Sequence, residues 1–169
     1  DELFAYIPST SYKNLYRLAQ STYDQNHRFF VDDTIKVVTV KDGDNNRTIA
    51  VGTFGFGAQG AWALDLTTLK GLTATTATSR MLWELKDSAS SKIGYMLNAP
   101  AIFPVTSGDT TSWLAVFGNG YNNSESDSNA DSTGTGALLA VDLLTGSIKK
   151  TLSTNKGKTS DPTGQSRPN

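Results

Sequence analysis

The sequence contains no cysteine and one histidine, His27. The absence of cysteine excludes disulfides, thiol nucleophiles and thiolate metal sites. A single histidine excludes a histidine-rich zinc site and disfavours a Ser-His-Asp catalytic triad. Thiol chemistry therefore lacks the residues it needs, and histidine chemistry is limited to His27.

Charge and long apolar runs are scarce as well. Only 18% of the 169 residues are charged, and the net charge is −1. Nucleic-acid binding needs lysine and arginine grouped on one face, and the sequence has no such cluster. No apolar run approaches the roughly 18 residues of a membrane span. The chain starts at Asp1 without a methionine, so we expect it to be part of a longer protein.

What the sequence does contain is typical of a β protein. Fifteen glycines and abundant serine and threonine favour strands and turns over long helices. Three Trp, six Tyr and seven Phe provide material for a core. The stretches with strand signals form two groups of four. The first group is 29–40, 48–54, 61–66 and 81–85, and the second is 100–105, 113–118, 137–143 and 147–152.

The two groups repeat each other in order. The stretch 49–52 corresponds to 114–118 with one residue of slack, and 63–66 corresponds to 140–143. A four-strand unit that recurs after about 50–70 residues is typical of β-propeller blades. A β-sandwich with a chance internal similarity is the alternative, and the ordered match favours the propeller.

The predicted architecture is all-β, with about two complete four-stranded antiparallel blades plus part of a third. A propeller closes with about four to eight blades, so we expect the chain to be a fraction of a larger ring. Residues 1–28 are predicted to hold the end of a preceding blade, with a strand over 2–7 and a short helix over 11–19 that covers a blade edge. The full blades span 29–90 and 91–152, and 153–169 is a linker or disordered tail.

Several residues that could suggest chemistry are better explained by structure. The acidic stretch 42–46 is predicted to be a hairpin turn. His27, beside Phe29, is predicted to be a packed loop residue and not a catalytic base. Asp65 and Asp142 are expected to bond turn backbone. The tryptophans are predicted to pack in the core or between blades: Trp62, Trp83 and Trp113.

One constellation could hold a metal ion. It offers oxygen ligands at alternate positions, as Ca²⁺ requires. These residues lie in a loop that makes the second repeat unit longer than the first. The predicted ligands are Asp127, Asn129, Asp131, Thr133 through its carbonyl, and Thr135 through its hydroxyl or a water. Against the site, Ser132 replaces the usual glycine and Leu138 the usual bidentate glutamate, and Glu125 could substitute only if the loop folds back. A solvated loop without a ligand is the alternative.

Particular stretches resemble the C-terminal propeller of the PilC/PilY type IV pilus tip proteins. The most specific is Val116-Phe117-Gly118-Asn119-Gly120-Tyr121-Asn122. Others stand in family order before it: 2–9, 27–32, 61–65, 82–84 and 93–95. Three features depart from the family. Asp33 stands where glycine is common, 55–60 is poorer in glycine than usual, and no Arg-Gly-Asp tripeptide is present.

The resemblance implies a secreted protein at the surface of a Gram-negative bacterium, at the pilus tip or outer membrane. It implies roles in pilus biogenesis, opposition to retraction, twitching motility and host-cell adhesion, with calcium regulation in some members. Pilus subunits or minor pilins, the host-cell surface and the remaining blades would be the partners. The alternatives are a quinoprotein-like propeller enzyme, for which the sequence shows no adjacent cysteine pair or acid–base pair, and a purely structural propeller module.

Overall fold

The computed structural model describes residues 2–86, 93–121 and 135–154. These residues form two four-stranded antiparallel sheets with strands in chain order, which confirms the predicted partial β-propeller. The first blade comprises β1 (Ile35–Asp42), β2 (Asn45–Thr53), β3 (Gly60–Asp65) and β4 (Met81–Lys86). The second blade comprises β5 (Ala101–Ser107), β6 (Thr110–Gly118), β7 (Ala137–Asp142) and β8 (Ile148–Ser153).

The two blades repeat each other down to their irregularities. Each opens with a two-residue hairpin whose glycine has φ = +58°, Gly43 in the first blade and Gly108 in the second. Glycine suits these turns because it adopts positive φ without a steric cost. The pairing also shifts at the same step of the third strand, after Ala63 and after Ala140. The hairpin predicted over 42–46 is therefore confirmed, with a counterpart in the second blade.

The main core lies between the blades. It combines buried side chains from one face of each sheet: Val40, Ile49, Val51, Ala61, Ala63 and Trp83 from the first, and Ala115, Phe117, Leu139 and Val141 from the second. Ile93 and Met96, from the connection between the blades, are buried in the same core. Because the apolar surface removed from water belongs to both sheets, each blade stabilises the other.

The far face of the second blade is apolar and uncovered. We call it the outward face and define it by Phe103, Val105, Leu138 and Leu152, which are 42%, 42%, 46% and 53% exposed. When the two blades are matched by their strand pairing, Val105 takes the position that Val40 holds in the first blade, and Leu138 takes the position of Ala61. Those first-blade counterparts are 1% and 0% exposed because the second blade covers them. The outward face thus repeats a surface that is buried one blade earlier.

The predicted strand over 2–7 is wrong for this structure. The segment belongs to neither sheet, because no strand among the described residues lies beside it to complete its backbone hydrogen bonds. Phe4 and Tyr6 nevertheless pack on the back of the first blade, against a buried cluster that includes Trp62 and Leu64. The side chains therefore alternate as in a strand, although the pairing is missing.

The predicted N-terminal helix is present as a 3-10 helix over Ser9–Ala19. Its expected apolar face is not buried, since Tyr12 and Tyr16 are 61% and 59% exposed. The 3.6-residue spacing that predicted this face does not apply to a helix with three residues per turn. A short α-helix at Ala74–Ala77, begun by a Thr73–Thr76 capping box, lies in the connection between β3 and β4. Among the described residues, no helix has the length and apolarity to cross a membrane.

Candidate functional site

A tryptophan on the last strand of the first blade joins the two blades by contacting the turn after β7 of the second blade. Trp83 on β4 donates a hydrogen bond from its buried Nε1 to the Leu143 carbonyl at 2.9 Å. Its ring lies against Gly146, where an added Cβ would be 2.6 Å from the Trp83 Cγ. Gly146 has φ = +74° and closes the turn after β7. The indole is therefore held by both a carbonyl and a glycine of the second blade.

A second tryptophan makes the reciprocal bond. Trp113 on β6 donates from Nε1 to the Lys41 carbonyl of β1 at 3.0 Å. Trp62 instead lies on the back of the first blade, 5.7 Å from the Tyr6 ring. The packing predicted for the tryptophans is confirmed, with Trp83 and Trp113 between the blades. Trp83 is buried and Trp113 is partly buried in these positions.

Asp65 and Asp142 hold equivalent turns, as predicted. Asp142 accepts hydrogen bonds from the Leu144 and Thr145 amides at 3.1 and 2.9 Å. Asp65 accepts from the Thr67 amide at 2.8 Å. Partial burial acts to raise the pKa of each carboxyl, but hydrogen bonds from the Thr67 and Thr145 side chains, together with these amide hydrogen bonds, outweigh it and lower both pKa values. Both groups stay ionised as turn acceptors, which leaves neither as a proton carrier near neutral pH.

Glu84 fixes the N-terminal segment to the first blade. Its Oε1 accepts from the Tyr6 hydroxyl at 2.5 Å and the Ser9 amide at 2.8 Å. Its Oε2 accepts from the Ser9 hydroxyl and lies 2.9 Å from the Lys86 ammonium. Burial acts to raise the pKa of Glu84, but the hydrogen bonds from Ser9 and Tyr6 lower it to about 2. Burial and the Glu84 charge together raise the pKa of Tyr6.

Most of the predicted calcium loop lies outside the described residues. Of its five predicted ligands, only Thr135 is described, and its carbonyl accepts a hydrogen bond from the Asn119 Nδ2 at 3.0 Å. The Asn119 Oδ1 accepts from the Ala137 amide at 2.9 Å, so this buried side chain fixes the point where the chain enters β7. Within the part of the chain that the structure describes, no group of three or more His, Cys, Asp or Glu could hold a metal ion.

His27 belongs to a surface row of aromatic rings. We call it the aromatic row and define it by Tyr23, His27, Phe29, Phe56 and Tyr95. Successive centroids lie 5.5, 5.1, 6.0 and 6.4 Å apart. The packing predicted for His27 is therefore present, although the residue is exposed. The row joins three separate chain segments.

Sequence reasoning did not identify the roles of Glu84, Asn119 or the aromatic row. Glu84 stands in an apolar strand pattern, Leu-Trp-Glu-Leu, and a lone carboxylate there was a usable signal of a buried partner. Asn119 lies between two glycines, where a side chain that bonds backbone is common. The aromatic row had no sequence signal, because its members are brought together only by the fold.

Comparisons with known proteins agree with this architecture. The family model described as the PilY1 beta-propeller domain matches residues 1–169. The type IV pilus biogenesis factor PilY1 of Pseudomonas aeruginosa PAO1 is 31% identical over 169 residues, which cover 99% of this chain and 13% of that protein. A PilY1 homologue of Xylella fastidiosa is 31% identical over 96% of this chain and 10% of its own length.

A solved structure shares the fold. The crystal structure of the P. aeruginosa PilY1 C-terminal domain superimposes with a TM-score of 0.62 and 27% identity, over 90% of this chain and 26% of that one. This chain therefore spans only a small part of the relatives it matches. Since the family model covers every residue, the chain belongs to the PilY1 β-propeller family.

Proposed function

We propose that this chain supplies two blades of the propeller of a non-enzymatic type IV pilus biogenesis factor. The protein would support pilus extension against retraction, and with it twitching motility and adhesion to host cells. Membership of a family whose relatives are named biogenesis factors supports the pilus role. Pilus subunits or minor pilins and the host-cell surface would be its partners, at the pilus tip or outer membrane.

The observation that carries the propeller part of the proposal is the outward face. Four large apolar side chains there are 42–53% exposed, although their first-blade counterparts are buried (Val40 and Ala61) or partly buried (Val38 and Leu85) against the second blade. Ile35 and Val37 on the back of the first blade are also exposed, at 54% and 56%. Apolar surface on both flanks of the pair fits a position inside a ring of further blades.

The role in extension can be tested in cells that carry Trp83→Ala in the full-length protein. The substitution removes the indole that joins the two blades, and we expect surface pili to be lost. If the protein opposes retraction, blocking pilus retraction restores surface pili in the variant strain. Asp109→Asn, at an exposed hairpin tip, is the matched control and leaves piliation unchanged. Normal piliation without the protein, or bare cells after retraction is blocked, contradicts the proposal.

We also propose that the loop over 127–135 binds calcium and regulates this activity. Asp127, Asn129 and Asp131 offer three hard side-chain oxygens, which is the donor chemistry that Ca²⁺ prefers. Two carboxylates give weak affinity, in the range of about 10⁻⁴–10⁻³ M that is typical of extracellular sites. The hydrogen bond from the Ala137 amide to the Asn119 side chain fixes the chain where it enters β7, just after this loop, which supports a defined position for the end of the loop.

Calorimetry with CaCl₂ tests the site directly. We expect binding heat for the unmodified chain and its loss in Asp127→Ala and Asp131→Ala, because each substitution removes one of the two carboxylates. Asp44→Ala, at the tip of the first hairpin, removes the same charge elsewhere and should bind normally. Absence of heat at millimolar calcium, or equal heat from all variants, contradicts the calcium proposal without affecting the pilus role.

A further inference from the structure

A cleft of about 720 Å³ opens beside the aromatic row. Tyr12 and Asn14 line it from the N-terminal 3-10 helix, and Gln59 lines it from the β2–β3 loop. Arg28 and Tyr95 line it as well. Tyr95 is also the last ring of the aromatic row, and Arg28 stands in the sequence between two other members of the row. The cleft and the row therefore form one continuous surface.

The lining is cationic and polar. It includes Lys13, Arg28 and Lys86, and no carboxylate belongs to the described residues that line the cleft. Lys86 pairs with Glu84 behind the lining, at 2.9 Å. Arg28 is exposed, and its guanidinium can take a carboxylate in a bidentate arrangement. A ligand that carries carboxylates suits this charge.

The aromatic rings at the border indicate what else the ligand carries. Phe29 and Phe56 are each 52% exposed, and Tyr12 is 61% exposed. The negative face of an aromatic ring attracts the polarised C–H groups of a sugar ring. The amide side chains of Asn14 and Gln59 can bond sugar hydroxyls.

From this combination we propose that the cleft and the aromatic row bind an acidic oligosaccharide of uronic acid type. Its carboxylates would face the cationic lining, and its sugar rings would stack along the exposed aromatic rings. A protein partner fits less well, because the anchoring pockets of protein interfaces are predominantly apolar and this lining is polar. The inference does not depend on the pilus role or on the calcium loop, since it uses only the lining of this surface.

Titration of the full chain with trigalacturonate by calorimetry tests the proposal. The buffer contains EDTA, so that calcium bridges to the sugar carboxylates cannot contribute. We expect binding that weakens as salt is added, because the attraction is between charges near the surface. Arg28→Gln should weaken binding by about tenfold, which corresponds to the loss of one charge-assisted hydrogen bond. Tyr12→Ala should weaken it by a similar factor through lost stacking.

Lys70→Gln is the matched control, because it removes an exposed cation from the loop that follows β3, outside the cleft lining. It should bind trigalacturonate normally. Galactotriose has the same rings without carboxylates, and it should bind at least about tenfold more weakly. Triglutamate carries carboxylates on a peptide instead of a sugar, and it should bind more weakly than trigalacturonate. No binding of trigalacturonate, equal binding of galactotriose, or equal binding of triglutamate would each overturn the proposal.

Discussion

At the scale of single residues, two glycines make room for tryptophan rings. An added Cβ at Gly52 would lie 2.5 Å from the Trp62 Cζ2, and one at Gly146 would lie 2.6 Å from the Trp83 Cγ. Real Cβ atoms do not approach so closely, so a side chain at either position must displace the indole. Gly146 has the additional requirement of positive φ, at +74°. It therefore serves both the turn and the contact between blades.

Comparison of Gly146→Ala with Gly71→Ala separates the need for positive φ from the need for space beside Trp83. Gly71 has a similar φ of +78°, but an added Cβ there meets nothing within 4 Å. We expect Gly71→Ala to lower the free energy of unfolding by about 1 kcal/mol through backbone strain alone. Gly146→Ala should lower it by about 2 kcal/mol more, because the added methyl overpacks against Trp83. Urea unfolding followed by tryptophan fluorescence measures both, and equal losses would contradict the role of the Trp83 contact.

The sequence predicted the local part of this arrangement and not the distant part. The turn carboxylates Asp65 and Asp142 were predictable because they bond residues two or three positions away. The Trp83–Leu143 hydrogen bond joins residues 60 positions apart, and no local pattern specifies it. The calcium ligands are predicted from the residue types and spacing within one loop. Of these, the structure describes only Thr135.

At the scale of elements, strands were predictable where the chain supplies their partners. All eight predicted strands overlap strands of the structure, because alternating apolar residues and Gly-Asp turns mark them locally. The first begins at Ile35 and not at Phe29 as predicted. The strand over 2–7 has the same alternation, but a strand also needs a neighbour to bond its backbone. In the structure this segment is instead held through Tyr6 and Ser9, which both bond Glu84.

The Glu84 interaction predicts a specific dependence of stability on pH. The carboxyl of Glu84 has a pKa of about 2 in the folded state, below its ordinary value of 4.5. A lowered folded-state pKa stabilises the fold above the unfolded-state pKa, and this contribution is lost as pH falls from about 4.5 to about 2. Glu84→Gln should remove it and lower the free energy of unfolding at neutral pH by about 2 kcal/mol.

Urea unfolding across this pH range checks the prediction, with Glu2→Gln as the control. Glu2 is an exposed carboxylate of the same N-terminal segment, and its substitution should leave the pH profile unchanged. The difference in stability between the unmodified chain and Glu84→Gln should shrink as the solution is acidified. A constant difference down to the lowest pH would show that Glu84 acts through its shape and not through its charge.

At the scale of the whole molecule, the pair of blades is flanked by apolar surface on both sides. Burial of the outward face would remove Phe103, Val105, Leu138 and Leu152 from water, just as the second blade does for the first. The outward face differs from the first-blade face that it repeats in one position. Strand pairing places Lys150 of the second blade where the first blade has Trp83. A further blade on the outward face would therefore pack without a tryptophan in the place of Trp83.

Site-specific labelling can show whether this face is covered in the full-length protein. Because the chain has no cysteine, Leu138→Cys introduces a single reactive thiol into it. In the chain alone the thiol should react readily with a maleimide, since Leu138 is 46% exposed. In the full-length protein we expect labelling of this peptide to be at least about tenfold slower, because a neighbouring blade of the same ring must open first. Asp109→Cys, at the hairpin tip, should react equally fast in both forms. Equal rates at both positions in the full-length protein would mean that no blade packs on the outward face, and the surface would then be available to a partner outside the ring.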